Sequence, residues 1–592
     1  MTSARPKIPP LHVLLCMVAV VTVAAHAGAI RGPFVFDDIF EIESNPQIRA
    51  LWPPWRAMTS PGGYPARPLA YLSFALNYAA HGLKPSGWHA VNIAIHLCNG
   101  CGLWACVDGI LRSAKRRADP LSASADGMPL AGVATAALWL VHPLTTQPVA
   151  YIYQRMELLG AAAILGCLFC FLRSQASGST ARSNAWLTAA VAVSAVGMLC
   201  KETAVVAPCV ILATDWLLFC WRADRPWRSL ATAVARRPRF YAALAATWAV
   251  AGLVIWGQRA NYRELVSPLW SVSDYALNQP RIMLHYLGLA ALPVGQCFDY
   301  GWRASRDPAV LAPGIAALAA AALLAVKLVW SRPLGALAIG LFFLLLAPTS
   351  SLVPVNDLCV EHRMYLPVAV PLAAAVVGVA AATGRWRSGP WFQMGLITAV
   401  LAAYVVIDVS RTRVYASMTS LWSDTASKAP HNQRALLWKG ISLDLEGRTE
   451  EAFDAFAATI AVDPSNPACA RAHTFRAVAL GRAGRLEAAI AEARRAVELA
   501  PKDGLCWVNL GQGLFQSGDL PAAEMATRTA IDCSRGRELQ MARLNLARIM
   551  AAGGRADEAR ELCLTILRED PACAAAIDLG RSLPPANEPP VF

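Results

Sequence analysis

The sequence predicts an all-α chain in two parts, a polytopic bundle of membrane helices followed by a helical-repeat solenoid. Three observations predict it. The 592 residues are 56% hydrophobic and only 16% charged, where ordinary soluble proteins carry roughly 25% charged residues. The positive mean hydropathy of +0.40 is gathered into blocks long enough to cross hydrocarbon. From Asp424 the blocks stop, acidic residues become frequent, and prolines recur at Pro430, Pro464 and Pro501. The net charge of +13 invites a nucleic-acid partner. The Lys and Arg, however, sit in short loops between apolar blocks, as the positive-inside bias requires, so membrane lipids are the expected partner and nucleic acid is not.

Taken in order, Arg5 and Lys7 precede an apolar run from Leu11 to Ile30. Ala25-His26-Ala27 resembles a signal-peptide cleavage site, but the run is about twenty residues long and many spans follow, so a retained span is expected. The loop 31–87 then emerges on the far side. It carries Asp37 and Asp38 at the edge of hydrocarbon, where charge needs a partner or a task; a capped loop start is the plainer reading. Arg67 to Ala80 has helical apolar spacing with Pro68 in its first turn and reads as an interfacial helix. The second span, Trp88 to Ile110, sets His89, Asn92 and His96 on one face, a pattern that also suits hydrogen bonding within a bundle.

Further spans are expected at about 128–141, from about 158 to just before Arg173, and at 185–199, 203–221 and 240–256. His142, Arg155, Glu157, Lys201 and Glu202 fall at their outer mouths, and basic loops at Arg112–Arg117 and Arg222–Arg239 lie on the inner side. Residues 276–300 are apolar over too short a stretch, Leu284 to Val294; they read as re-entrant or interfacial, since a crossing there would turn Lys327, Arg332, Arg385 and Arg387 outward. Spans at 309–330, 334–347, 364–383 and 391–409 bring the total to about eleven and leave the C-terminal part outside the cytoplasm. Sixteen cysteines are scattered; the C-x-x-C pairs Cys98/Cys101 and Cys167/Cys170 lie inside spans and read as small buried residues.

The domains are therefore 1–423, a transmembrane domain with its first outer loop at 31–87; 424–580, a repeat domain; and 581–592, a disordered tail. In the repeats Gly440, Gly447, Ala452, Phe456 and Pro464 fall where a tetratricopeptide repeat needs them, as do Trp507, Leu510, Gly511, Gly518 and Ala523. Small residues let two antiparallel helices approach, and proline ends the second. Gly484 with Ala489, and Gly554 with Ala559, mark two more units, enough for a stable stack.

Acids and bases gathered at one membrane mouth fit a lipid-linked substrate whose tail stays in the bilayer. Arg or Lys holds a phosphate, and a carboxylate takes the proton of an attacking hydroxyl. With these residues the chain resembles the transmembrane-and-tetratricopeptide-repeat O-mannosyltransferases of the GT-C glycosyltransferase superfamily. The matching stretches are F-V-F-D-D (34–38), N-P-Q-I (45–48), R-P-L-A-Y-L-S-F-A-L-N-Y (67–78), H-A-V-N-I-A-I-H (89–96), V-H-P-L-T-T-Q-P-V-A-Y-I-Y-Q-R-M-E-L-L (141–159), K-E-T (201–203) and H-R-M-Y-L-P (362–367).

The resemblance implies a polyprenyl-phosphate-sugar donor, a protein Ser or Thr acceptor held by the repeats, and a catalytic acid in the first outer loop, Asp37 or Asp38. It implies Arg363 at the donor phosphate, assisted by Lys201 or Arg155. Arg67, His89, His142, Glu157, Glu202, His362 and Tyr365 are the remaining substrate-binding candidates. The family's acid before V-A is Gln147 here, and its G-R-x-E is Gln154-Arg155-Met156-Glu157, so sugar or acceptor preference can differ. The Ala- and Arg-rich chain suggests a bacterial member, with an undecaprenyl carrier and a site facing the periplasm from the inner membrane. No cofactor is expected beyond the donor, and no dense cluster calls for a metal, although a divalent ion stays open. A non-catalytic membrane-anchored scaffold is the alternative; a transporter would need mid-membrane charges that the later spans lack.

Overall fold

The computed structural model describes residues 10–58, 67–116, 130–257, 269–383, 389–466, 468–570 and 573–584. Among them there are helices and no strands. The chain forms two compact units, Met1–Leu421 and Trp422–Phe592. The basic residues Arg5, Lys7, Arg117, Arg385 and Arg387, and residues 585–592 of the expected tail, lie outside the described residues, whereas Arg581 and Ser582 still belong to the last helix.

In the first unit the helices are α1 (Leu11–His26), a short α2 (Pro54–Met58), α3 (Pro68–His81), α4 (Pro85–Arg116), α5 (Ala131–Leu140) and α6 (Thr146–Ala150). There follow α7 (Arg155–Gln175), α8 (Thr180–Cys200), α9 (Ala207–Thr214, continued as a π turn to Cys220), α10 (Pro226–Arg236) and α11 (Pro238–Gly257). The unit continues with α12 (Val272–Ala291), α13 (Pro308–Ser331), α14 (Pro333–Leu346), α15 (Ala369–Thr383) and α16 (Gly389–Val414). Seven helical stretches of the described residues are long and apolar enough to cross a membrane. Four shorter apolar helices, α1, α5, α14 and α15, fill the remaining positions at which the hydrophobic blocks predict spans.

Residues 276–291 of this region belong to the continuous helix α12, and 292–300 follow it as non-helical chain. Ser271 caps α12 by accepting from the Asp274 N–H at 3.0 Å, a start signal placed before the apolar stretch. The chain then runs back along the helix. Asn278 exchanges two hydrogen bonds with Ser305 at 3.0 and 2.9 Å, and Arg306 meets Asp274 at 2.7 Å. So α13 begins beside the first turn of α12, and helix plus return segment make no net crossing. Gly314 permits the close crossing of α13 over α12: a Cβ there would lie 2.4 Å from the Arg281 backbone nitrogen.

In the second unit four helix pairs follow one another: Gln433–Leu445 with Thr449–Val462, Cys469–Arg482 with Leu486–Leu499, Gly504–Gln516 with Leu520–Cys533, and Gly536–Ala552 with Ala556–Glu569. Ala574–Ser582 ends the stack. Each pair turns at a glycine with positive φ, Gly447, Gly484, Gly518 or Gly554, at 74–83°. This left-handed position costs a side chain energy and glycine none. Phe456, fully buried, presses its ring onto Gly440, where a Cβ would sit 2.5 Å from it. Replacing Phe456 by Ala should destabilise the first pair by about 3–5 kcal/mol. Hydrogen exchange of the full-length protein would then show loss of amide protection over residues 433–462 before the later pairs.

Candidate active site

The two acids of the first outer loop have different places. Asp38 has no exposed surface. Its Oδ2 accepts from the Val35 N–H at 3.1 Å and its Oδ1 from the Tyr153 N–H at 2.7 Å. Burial pushes its carboxyl well above the usual range, the two N–H bonds pull it back, and the neighbouring Asp37 charge adds to the rise. Asp38 therefore clips two backbone segments together. Asp37 is only half-buried. Its Oδ2 accepts from the Tyr151 hydroxyl at 2.5 Å, and its own N–H donates to that hydroxyl oxygen at 3.2 Å. The turn that aims it includes Phe36 at φ 51°, a strained conformation for a bulky residue and one that clusters at functional sites.

Beside this loop lies a charged cluster. Arg67, ahead of α3, grips Glu202 with two bonds of 2.9 and 2.6 Å. Lys201 Nζ stands 3.1 Å from Glu157 and 3.6 Å from Glu202. Arg363 donates to the carbonyls of Leu358 at 2.9 Å and Asp357 at 2.5 Å. His362 feels all three cations. Burial first, and then the charges of Lys201, Arg363 and Arg67, hold its imidazole well below the ordinary pKa, so the ring is neutral near pH 7. Its Nδ1 makes no hydrogen bond.

Glu157, Thr203, Thr349 and Arg363 line a small cavity. Its walls include Ile164, Leu345 and Leu366, and these three also line an apolar groove between α4, α7, α14 and α15. Along α14 the groove extends from Leu345 to Leu334, a rise of ~17 Å, so it covers more than half of a hydrocarbon layer about 30 Å thick.

A segment the sequence did not single out ties the acid loop to the arginine loop. The Phe298 ring packs 6.0 Å from that of Phe36 and 5.4 Å from that of Tyr151. Its carbonyl accepts from Gln147 Nε2 at 3.1 Å, and Gln147 Oε1 accepts from the His362 N–H at 2.9 Å. Gln147 must donate and accept at once, which an ionised glutamate cannot do. The signal for Tyr151 was present in the V-A-Y-I-Y-Q-R stretch. Phe298 and the groove residues offered only apolar character.

Three expected site residues, Arg155, His89 and His142, do not line the cavity, and a fourth, Tyr365, lines it with its hydroxyl bonded elsewhere. Arg155 is fully buried between the rings of Phe74 and Trp88, 5.1 and 5.4 Å away. Its guanidinium donates to Asn92, Asn77, Ser73 and Trp88, so it braces α3 against α4 and is not at the cavity. His89 is buried against the Gly32 carbonyl at 3.3 Å. His142 caps the following turn through the Leu144 N–H at 3.1 Å and meets the Ala290 carbonyl at 3.3 Å; burial lowers its pKa to about 4. Tyr365 borders the cavity, but its hydroxyl turns away to His96 at 2.8 Å and Asn99 at 3.1 Å. A polar stripe on an apolar helix does not say whether it faces a ligand or a neighbour, and here the neighbour won. Among the described residues no group of three or more His, Cys, Asp or Glu is arranged to hold a metal.

With the geometry in place, comparison with known proteins adds the following. A tetratricopeptide repeat model matches residues 447–504 and 508–572. Protein O-mannosyl-transferase Tmtc3 of Drosophila melanogaster is 29% identical over 209 residues, 32% of this chain and 22% of that protein. Human protein O-mannosyl-transferase TMTC4 is 32% identical over 217 residues, 33% of this chain and 28% of that protein. The matched stretch thus spans about a quarter of these relatives. A thermophilic tetratricopeptide-repeat protein of Thermus thermophilus is similar at 20% identity with a TM-score of 0.26, over 29% of this chain and 91% of its own.

The two acids should separate in a melting experiment. Asp38→Ala orphans two buried N–H groups at about 1–3 kcal/mol each and should lower Tm by several degrees. Asp37→Ala should leave Tm nearly unchanged. Equal losses would remove the distinction.

Proposed function

We propose that the chain is an inverting GT-C-type glycosyltransferase. It moves a sugar, mannose or a similar one, from a polyprenyl-phosphate carrier to a Ser or Thr hydroxyl of an extracytoplasmic protein bound by the repeats. The observation that carries this reading is the continuity of a charged cavity with an apolar groove. A phosphate with a long isoprenoid tail needs both. The names of the relatives, protein O-mannosyl-transferases, point the same way, and a repeat domain supplies a protein-binding surface.

The chemistry follows from charge. Arg67 and Lys201 are already met by Glu202 and Glu157, whereas Arg363 is held by neutral carbonyls. The Asp357 carboxylate also acts on Arg363, and the guanidinium N–H groups suit the oxygens of a phosphodiester, which carries one negative charge. Asp37 takes the acceptor proton as the hydroxyl oxygen attacks the anomeric carbon. The bond from that carbon to the phosphate oxygen breaks, and its electron pair goes to the phosphate. The leaving phosphomonoester gains a second negative charge, which Arg363 and Lys201 stabilise in the transition state. Tyr151 keeps the Asp37 carboxylate aimed. In this scheme the cations meeting the phosphate are side chains, and neither a cofactor nor a metal has an assigned role. An undecaprenyl carrier, the bacterial inner membrane and a periplasmic active face complete the reading.

Two variants in proteoliposomes test it. Asp37→Asn should lower sugar transfer by about 10²–10⁴-fold with little change in donor KM. Ala338→Trp, which fills the groove, should raise KM for a long-chain donor and spare a short-chain analogue. Full transfer by Asp37→Asn, or equal use of both donors by Ala338→Trp, would overturn the scheme, and no sugar transfer by the unaltered protein would leave a membrane-anchored repeat scaffold.

A further inference from the structure

The end of the bundle away from the candidate site carries a second organised surface. Arg237 Nη2 donates to Gln175 Oε1 at 2.8 Å, at the last residue of α7, whose first turn holds Glu157. Trp221 Nε1 donates to the Val329 carbonyl at 2.6 Å, near the end of α13. Helix α10 lies across these ends. Its carbonyl at Pro226 accepts from Trp216 Nε1 at 2.8 Å, which fastens it to the π turn Asp215–Cys220.

At 100° per residue α10 divides into three flanks. Pro226, Ser229 and Ala233 are buried against the bundle. Trp227 and Val234 share the second flank and are 48% and 39% exposed. Arg228, Thr232 and Arg236 occupy the third and are exposed. Trp227 rests against the rings of Trp216 and Trp330, 5.2 and 5.9 Å away, but a helix wholly in water gains nothing from the part of the tryptophan and the valine left open on one flank. A helix at a membrane surface does, because the apolar flank enters the acyl boundary while the cationic flank meets headgroups.

The charges sort accordingly. Asp215, fully buried, pairs with Arg237 at 3.1 Å. Asp224 takes Arg222 and Arg225 at 3.2 and 2.8 Å. Arg228, Arg236 and Arg239 have no carboxylate partner among the described residues; Arg236 reaches only the Cys220 sulfur, at 3.5 Å.

We infer that α10 lies in the bilayer interface opposite the candidate site and, with the start of α11, binds anionic phospholipid headgroups through Arg228 and Arg236 of α10 and Arg239 of α11, with Trp227 and Val234 in the acyl boundary. This inference is independent of the transferase reading. Nucleic acid would leave the Trp227–Val234 flank unused.

The full-length protein in proteoliposomes tests it, with brominated phosphatidylglycerol or brominated phosphatidylcholine at equal mole fraction. The glycerol lipid should quench tryptophan emission more. The excess should vanish in Trp227→Phe and should fall by about fivefold in lipid preference for each arginine changed to Gln at 228, 236 and 239. Equal quenching by the two lipids overturns the inference, as does an excess that survives both Trp227→Phe and the triple arginine variant.

Discussion

Glu361 is a carboxylate with no exposed surface, and taking such a charge out of water costs several kcal/mol unless bonds meet it. The 296–300 segment meets it. The Cys297 N–H donates at 2.6 Å, the Tyr300 hydroxyl at 2.8 Å and the Gln296 amide at 3.4 Å, with Arg411 of α16 at 3.9 Å. This pins 296–300 beside the loop that carries His362 and Arg363. Phe298 then fills the space between that loop and the one bearing Asp37. The spacing of acid and arginine therefore depends on a residue that touches neither.

The same constraint, that charge at the edge of hydrocarbon must be met, shapes the rest of the cluster. Arg67–Glu202 and Lys201–Glu157 join the segment before α3 to the α7 start and the turn after α8. Each pair is neutral, so the cluster stays in place without a ligand. Thr146 and His26 meet the buried Asp408 in the same manner and tie α1 to α16. Such pairs add little net stability, yet removing one partner leaves a buried charge at a large cost. They fix geometry more than they strengthen the fold.

Much of the architecture was legible. Hydrophobic blocks mark the spans because the bilayer admits only apolar helices. The repeats show through the glycines and alanines that close packing demands. Asp37, Arg67, Glu157, Lys201, Glu202, His362 and Arg363 stand out in the sequence by their type and their place at span ends, and the structure sets Glu157 and Arg363 in the cavity wall, with Lys201 paired to Glu157 and Arg67 to Glu202. Sequence could not separate Asp37 from Asp38, since exposure follows from which loop Tyr153 lies on. Nor could it show that Arg155, His89 and His142 bond within the bundle: Arg155 donates to Asn92 and Asn77, and the two histidines meet the carbonyls of Gly32 and Ala290. The groove was hidden because Leu, Val and Ala look alike whether they face lipid, a neighbour or a cavity. In the 276–300 region the short apolar stretch pointed to a segment without a full crossing, and the polar residues Asn278 and Arg281 are paired along the return segment.

The account rests on acid and phosphate-binding groups converging across one cavity that opens onto an apolar groove. A structure of the full chain in lipid nanodiscs with a non-hydrolysable polyprenyl-phosphate sugar measures this most directly. The account predicts phosphate density at Arg363 and Lys201, the anomeric carbon turned toward Asp37, and the isoprenoid tail between Leu345 and Leu334. Phosphate density on the other side of the bilayer, or a tail outside the groove with the headgroup out of reach of Asp37, would contradict it.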